Sequence, residues 1–148
     1  MKDPADHSQS AVAAGLLSED DVVRSVMAHL KAGGWTIESF ALSHQHGDDI
    51  VAVRGMEKLL VEAKGEGSSR VGSRRHGLAF NRNQVRTHVS VAVVRAMQVV
   101  SSAHAAAAIA LPSNVLHRSE VTRIAVALRM IGVQVFWVAA DGSVELQA

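Results

Sequence analysis

Two short runs of β-forming residues, joined by only two residues, constrain the fold of this chain most strongly. The runs Asp48–Arg54 and Glu57–Lys64 are separated by Gly55-Met56. A two-residue loop with glycine first suits a type II′ turn, which predicts an antiparallel hairpin with Arg54 opposite Glu57. In that register opposite charges meet near the turn, and apolar residues meet in the middle on both faces. We therefore expect both faces of the hairpin to be covered by other elements.

The segments around the hairpin alternate between helical and extended patterns. An amphipathic helix is predicted to begin after Ser18 and to end at Gly33-Gly34. The remaining predicted elements are a strand Trp35–Ser43, the hairpin, a mobile loop Gly65–Gly77, a helix Leu78–Ser101, a strand Ala105–Leu111, a helix His117–Ile131, and strands Val133–Ala139 and Ser143–Gln147. A strand–helix–strand connection of this length implies a right-handed crossover, so the order α-β-β-β-α-β-α-β-β predicts an α/β fold with a central mixed sheet between helices.

Length and composition bound the domain organisation. A chain of 148 residues has the size of one domain, which we place at residues 18–148 after a mobile N-terminal tail at 1–17. Acids precede the short apolar run near the start, and no apolar run approaches the ~18 residues that span a bilayer, so we expect a cytoplasmic protein without a membrane partner. The absence of cysteine excludes disulfides, zinc–thiolate sites and thiol catalysis.

Basic residues are concentrated in one stretch of the chain. Between Lys64 and Arg86 six basic residues face one acid, a net charge of +5, whereas the remainder carries −4. This asymmetry predicts a polyanionic partner, although a solvated loop is the alternative for a charge run alone. With 3% aromatic residues, stacking on single-stranded bases has few platforms, which favours duplex or branched nucleic acid. The candidate nucleic-acid-binding residues are Arg70, Arg74, Arg75, Arg82 and Arg86.

Charged side chains are predicted to converge where the hairpin ends. Glu62 and Lys64 are two apart on a strand, so they point to the same face, and the hairpin register places Asp49 opposite Glu62 on that face. Two neighbouring carboxylates repel each other, and a divalent cation with oxygen ligands relieves that repulsion. Asp49 and Glu62 therefore predict a Mg²⁺ or Mn²⁺ site. Lys64 can hold or deprotonate a metal-bound water and offset charge on an attacked phosphate.

The two segments that carry these residues, Gly47–Ala52 and Leu60–Gly65, resemble the PD-(D/E)xK nuclease superfamily, especially its compact restriction-endonuclease-like and Holliday-junction-resolvase-like members. The resemblance implies a restriction-endonuclease-like three-layer α/β/α fold. It also implies that Asp49 and Glu62 bind the metal and that Lys64 positions the nucleophilic water. No proline precedes the motif aspartate in this chain.

The same resemblance implies further site residues. An acid on the first helix, Glu19 or Asp20, would join the metal ligands, although acids in a first helical turn are expected of any helix. Gln84 would support the site from the helix after the motif, or is equally explained as a surface residue. Asp48, where the family often has proline, ranks second as a ligand, since neighbours along a strand point apart.

Two histidines that precede Gly47–Ala52 are also possible metal ligands. His44 and His46 share strand spacing, but a zinc site needs further ligands that the sequence does not place. Substrate contact or simple exposure explains them better.

Three functions are compatible with these patterns. The first is a metal-dependent endonuclease that hydrolyses phosphodiester bonds in nucleic acid, with DNA preferred, and that forms a homodimer by analogy with small nucleases. The second is a non-catalytic nucleic-acid-binding or assembly module that retains the fold. The third is an unrelated α/β protein in which the carboxylates and the lysine form a structural ion-pair network.

Overall fold

A computed structural model describes residues 15–67 and 78–147. Helices flank a six-stranded sheet whose strands lie in the order β1-β2-β3-β4-β5-β6. The elements are α1 (Glu19–Ala32), β1 (Thr36–Phe40), β2 (Ile50–Arg54), β3 (Glu57–Ala63), α2 (Arg82–Ser102), β4 (Ala106–Pro112), α3 (Val115–Thr122), α4 (Ala125–Met130), β5 (Gln134–Val138) and β6 (Val144–Gln147). The expected α/β architecture is confirmed.

The sheet is mixed, as predicted. β3 pairs with β4 and β4 with β5 in parallel, whereas β1–β2, β2–β3 and β5–β6 are antiparallel. Alternating residues of the central strands enter two cores, one beneath α1 and one beneath α2 and α3. Both faces of the hairpin strands are therefore covered near their centre, because the apolar side chains on each face pack against a different layer of helices.

The hairpin has the predicted register. Arg54 pairs with Glu57, and Ile50 pairs with Val61. Gly55 has a φ of +58°, and Ala103 is the only described non-glycine residue with a positive φ. The turn therefore has a positive φ at its first central position alone, which matches type II′ rather than type I′.

The helix predicted at His117–Ile131 is divided into α3 and α4, which corrects the predicted element order by one helix. Ile124 has a φ of −123° and a ψ of 5° between the two helices. Its side chain packs against the core beneath α2, while the hydroxyl of Thr122 donates to the carbonyl of Arg118 at 2.8 Å. The β-branched residues Val121, Thr122 and Ile124 lower the local helix propensity, which favours a break at this point.

The last residue of the predicted tail contacts the predicted domain. Leu17 is buried in the core beneath α1, and its carbonyl accepts a hydrogen bond from Glu66 N–H at 2.9 Å. Residues 1–14 of the predicted tail lie outside the described residues. No helix within the described ranges combines the length and apolar character needed to cross a membrane.

The start of α2 also differs from the prediction, which placed it at Leu78. Asn81 is the N-cap, and its side-chain oxygen accepts from Gln84 N–H at 3.0 Å. The preceding residues belong instead to the base of the loop between β3 and α2, where Phe80 N–H donates to the Glu66 carbonyl at 2.9 Å and Gly67 pairs with Ala79. The first residues of the predicted mobile loop are thus fixed by backbone hydrogen bonds.

Candidate functional site

The candidate site forms where β2 begins and β3 ends, at the edge of the sheet that meets the start of α1. Gly65 follows β3 and lies against the first turn of α1. A Cβ atom on Gly65 would be 2.6 Å from Glu19 N and 2.9 Å from Ser18 C, so this close approach requires glycine. The packing brings the first turn of α1 to the end of the hairpin.

Glu62 and Lys64 form an ion pair on one face, as expected of positions two apart. The Lys64 ammonium donates to Glu62 Oε1 at 2.7 Å. Their side chains are only 18% and 12% exposed, respectively. Burial lowers the pKa of Lys64, but Glu62 and the nearby Glu19 and Asp49 outweigh it and raise the value overall. Lys64 therefore remains a cation at neutral pH.

Asp49 is the most perturbed carboxyl group in the site. Its Oδ2 atom accepts a hydrogen bond from Ala63 N–H at 2.7 Å. The pKa of Asp49 is raised to about 7, chiefly by burial and also by Glu62 and Glu19, while the Ala63 hydrogen bond and Lys64 act in the opposite direction. Near pH 7 this carboxyl group is thus divided between its neutral and ionised forms, because burial and neighbouring carboxylates disfavour its charged form.

The two acidic candidates on α1 have different surroundings. Burial raises the pKa of Glu19, which interacts electrostatically with Lys64, Glu62 and Asp20. Asp20 instead accepts hydrogen bonds from the Ser43 N–H at 2.8 Å and the Ser43 hydroxyl at 2.6 Å. Burial raises the pKa of Asp20, but these bonds, together with the charges of Arg24 and His44, outweigh burial and lower the pKa overall. Glu19 is therefore the α1 acid that shares the environment of the hairpin carboxylates.

Arg95 of α2 enters the site by pairing with Asp48, and sequence reasoning missed it. The guanidinium Nη2 donates to Asp48 Oδ1, and both residues line a small pocket together with Glu62. Asp48 thus lies on the side of the sheet that α2 covers. Arg95 stands in the apolar stretch 91–100, and an isolated arginine there was the available sequence signal.

His88 is a second α2 residue that the sequence did not single out. Its ring stacks on Phe80, with centroids 4.3 Å apart and planes inclined by 14°. Burial lowers the pKa of His88, and Lys64 lowers it further. Seven residues, about two helical turns, separate His88 from Arg95, so both lie on the same side of α2. Arg95 stands out as a charge in the apolar second half of α2, whereas the polar first half gives no such signal for His88.

Glu66, two residues after Lys64, joins its own segment of the chain to two others, at Leu17 and at Asn114. One carboxylate oxygen accepts from Leu17 N–H at 2.7 Å, and the other accepts from Asn114 Nδ2 at 2.9 Å. The Asn114 oxygen lies 2.8 Å from Nδ1 of His117, a fully buried residue. Because Asn114 donates through its nitrogen to a carboxylate, its oxygen is an acceptor, so Nδ1 of His117 carries the proton. Glu66 therefore fixes both the loop base and this histidine.

The remaining candidates that the structure describes are exposed or take part in other contacts. The side-chain oxygen of Gln84 accepts from Asn81 N–H at 2.9 Å, so Gln84 caps α2. Arg82 is exposed at the first residue of α2, and Arg86 pairs with Glu120 at 3.5 Å. His44 and His46 are exposed. Arg70, Arg74 and Arg75 lie outside the described residues.

The described side chains offer few ligands for the predicted cation. In the described ranges, no three His, Cys, Asp or Glu side chains are arranged to hold a metal ion. Mg²⁺ commonly uses only one or two carboxylates, together with water and substrate phosphate. The two carboxylates of Asp49 and Glu62 match the donor number of such an open site and are too few for a closed zinc site. Acids outnumber bases in this neighbourhood, which contains Glu19, Asp48, Asp49, Glu62, Lys64 and Arg95.

Comparison with known proteins finds no match among protein-family models, curated proteins or solved structures. The similarity to PD-(D/E)xK nucleases, including the restriction-endonuclease-like fold, therefore rests on the motif residues and the order of the elements and stays a prediction.

Proposed function

We propose that this protein is a nuclease that hydrolyses phosphodiester bonds in nucleic acid, with DNA as its substrate and Mg²⁺ or Mn²⁺ as its cofactor. One observation carries the proposal. Asp49, Glu62 and Lys64 share one partly buried site in which negative charge is in excess, and the pKa of Asp49 is raised to about 7. Buried carboxylates with too little compensation are costly to a fold, so they favour a cationic ligand.

Each residue has a distinct part in this mechanism. A divalent cation held by Asp49 and Glu62 would supply Lewis-acid activation of water and of the attacked phosphate. Lys64 is fixed by its 2.7 Å hydrogen bond to Glu62, so its other ammonium protons are available to orient water and to neutralise charge on the phosphate. Less than one-fifth of each of these two side chains is exposed, which strengthens their electrostatic action.

The approach of nucleic acid is supported by the position of the basic stretch. Gly67 and Ala79 pair at the base of the segment that contains Arg70, Arg74 and Arg75, and Gly67 is three residues beyond Lys64. Arg82 is exposed at the start of α2. A polyanion that engages these arginines would pass beside Lys64. A homodimer and a cytoplasmic location are proposed only by analogy with small nucleases and from composition.

The test is cleavage of supercoiled plasmid and of a four-way DNA junction with and without Mg²⁺ or Mn²⁺. Glu62→Gln and Lys64→Met should each lower the cleavage rate by at least a hundred-fold, in line with the loss of a charge that acts in the transition state. The matched controls are Glu57→Gln and Lys58→Met on the same strand, whose side chains are 62% and 44% exposed at its other end. Undiminished cleavage by both site variants would overturn the proposal.

A non-catalytic nucleic-acid-binding module is the second candidate. It is favoured by the internal pairing of the site, since Lys64 is bonded to Glu62 and Asp49 is bonded to Ala63 N–H. Salt-sensitive DNA binding by the wild type, without metal-dependent cleavage of either substrate, would identify this function instead.

A further inference from the structure

Arg95 lies at the wall of the candidate site without being buried in it. The helix residues Ala92, Ala96 and Val99 are buried against the sheet, whereas the side chain of Arg95 remains 41% exposed. It lines the same small pocket as Glu62, and it interacts electrostatically with that carboxylate. The guanidinium therefore combines access to solvent with a fixed position beside the site.

Two neighbours hold the guanidinium in place. Nη2 donates to Asp48 Oδ1, and Nη1 lies 3.5 Å from Gln98 Oε1. Asp48 precedes Asp49, whose carboxyl group accepts a hydrogen bond from Ala63 N–H at the end of β3. The orientation of Arg95 is thus tied to the same short segment that positions the carboxyl group of Asp49. A guanidinium has five N–H donors in one plane. The Asp48 carboxylate and the distant Gln98 amide engage only some of them, so donors remain for another oxyanion.

Stability alone gives a weak explanation for this ion pair. Both side chains are substantially exposed, 41% for Arg95 and 31% for Asp48. Exposed ion pairs contribute little to folding because solvent screens them and because the side chains lose conformational freedom. A guanidinium that is already oriented, by contrast, binds a phosphate at a smaller entropic cost than a free side chain.

We propose that Arg95 binds a phosphate of the nucleic-acid backbone next to the attacked phosphodiester, and that Asp48 is its positioning residue. This inference rests on the proposed function. It assigns to α2 a phosphate contact separate from the basic stretch between β3 and α2. Asp48 then contributes by orienting the guanidinium, although its own negative charge disfavours the ligand.

The experiment compares two variants that break the same ion pair. Binding of a short fluorescent DNA duplex is measured by anisotropy over a range of salt concentrations, with Ca²⁺ in place of Mg²⁺ to prevent cleavage. Arg95→Gln should weaken binding roughly ten-fold and reduce the salt slope by about one phosphate contact. Asp48→Asn should leave the affinity within about two-fold of wild type or tighten it, because the asparagine oxygen can still accept from and orient the guanidinium while an anion is removed.

A matched arginine supplies the control. Arg54 is 46% exposed and pairs with Glu57 at 3.1 Å, but it lies at the hairpin turn, at the other end of β3 from Glu62. Arg54→Gln should bind DNA as the wild type does. If Arg95→Gln does not fold, Arg95→Lys is used instead, since it keeps the charge and loses the planar fork, and a several-fold loss of affinity is still expected.

The outcomes separate this inference from the proposed function. Equal losses of affinity in Arg95→Gln and Asp48→Asn would mean that the pair is structural, which overturns the inference. Wild-type affinity and cleavage in the Arg95 variants would overturn it while leaving the nuclease proposal intact. Weakened binding by Arg95→Gln in a protein that never cleaves DNA would support the inference and contradict the nuclease. Absence of DNA binding by the wild type would overturn both.

Discussion

Gly65 lies so close to Glu19 that a Cβ atom at position 65 would be 2.6 Å from the Glu19 backbone nitrogen. This contact joins the chain immediately after Lys64 to the first turn of α1. Neither backbone can move alone, because Glu66 N–H and the Leu17 carbonyl are hydrogen-bonded at 2.9 Å beside it. The contact therefore keeps Glu19 within electrostatic range of the hairpin carboxylates.

Gly65→Ala should consequently destabilise the fold and displace Glu19 from the site. Overpacking of this kind typically costs about 1–3 kcal/mol, which urea denaturation would measure. Gly33→Ala is the control, since its Cβ would come no closer than 3.4 Å to Leu30 O and its φ of −85° suits any residue. Equal stability of Gly65→Ala and wild type would show that α1 can move away without cost.

The raised pKa of Asp49 should make stability depend on pH. Burial raises this pKa from 3.8 to about 7, so between these values the folded state binds a proton that the unfolded state has lost. The Asp49 contribution is fully favourable below pH 4 and is lost as the pH rises through 7. In a metal-free buffer, Asp49→Asn should therefore gain stability relative to wild type as the pH rises from 5 to 8.

Denaturation of both proteins across that pH range would measure the effect. Asn can still accept the hydrogen bond from Ala63 N–H, so the comparison isolates the charge. The control is Asp141→Asn at an exposed carboxylate, which should show no such gain at high pH. A constant stability difference between Asp49→Asn and wild type from pH 5 to pH 8 would contradict the shift.

The hairpin end of the site was predictable because it depends on local rules. A two-residue turn and the alternation of strand residues bring Glu62 and Lys64 together and place Asp49 near them. The α2 contribution depends instead on tertiary packing, since 47 residues separate Arg95 from Asp48. Likewise, periodicity predicted one helix after β4, but the backbone leaves the helical conformation at Ile124, where φ is −123°. Sequence pattern therefore predicted which charged residues of the hairpin lie together, and the family resemblance named Glu19, but neither located the α2 residues Arg95 and His88.

His117 should produce the opposite pH dependence from Asp49. Burial lowers the pKa of His117 to about 4, so the unfolded state takes up a proton below pH 6.5 while the folded state stays neutral. Its contribution is fully present above pH 6.5 and is lost as the pH falls toward 4, a change on the order of 2–3 kcal/mol. His117→Asn retains a donor for Asn114 and should lack this loss. The control is His104→Asn at an exposed position.

Chemical denaturation of these variants between pH 4 and pH 7 would test the His117 prediction. Wild type and His104→Asn should lose stability in parallel toward acid, with His117→Asn losing less. If the His117 and His104 variants follow the same curve, the buried imidazole is not the group that titrates.

A divalent cation should stabilise the folded protein, independently of any cleavage. A ligand that binds only the native state at ten times its dissociation constant contributes about 1.4 kcal/mol, visible as a rise in Tm with added Mg²⁺. Binding requires ionised Asp49, so the rise should be larger at pH 8 than at pH 6, since the pKa of Asp49 is about 7. Asp49→Asn and Glu62→Gln should each abolish most of it. Glu57→Gln, at the exposed end of the same strand, should retain it, and a rise that survives in both site variants would place the cation elsewhere.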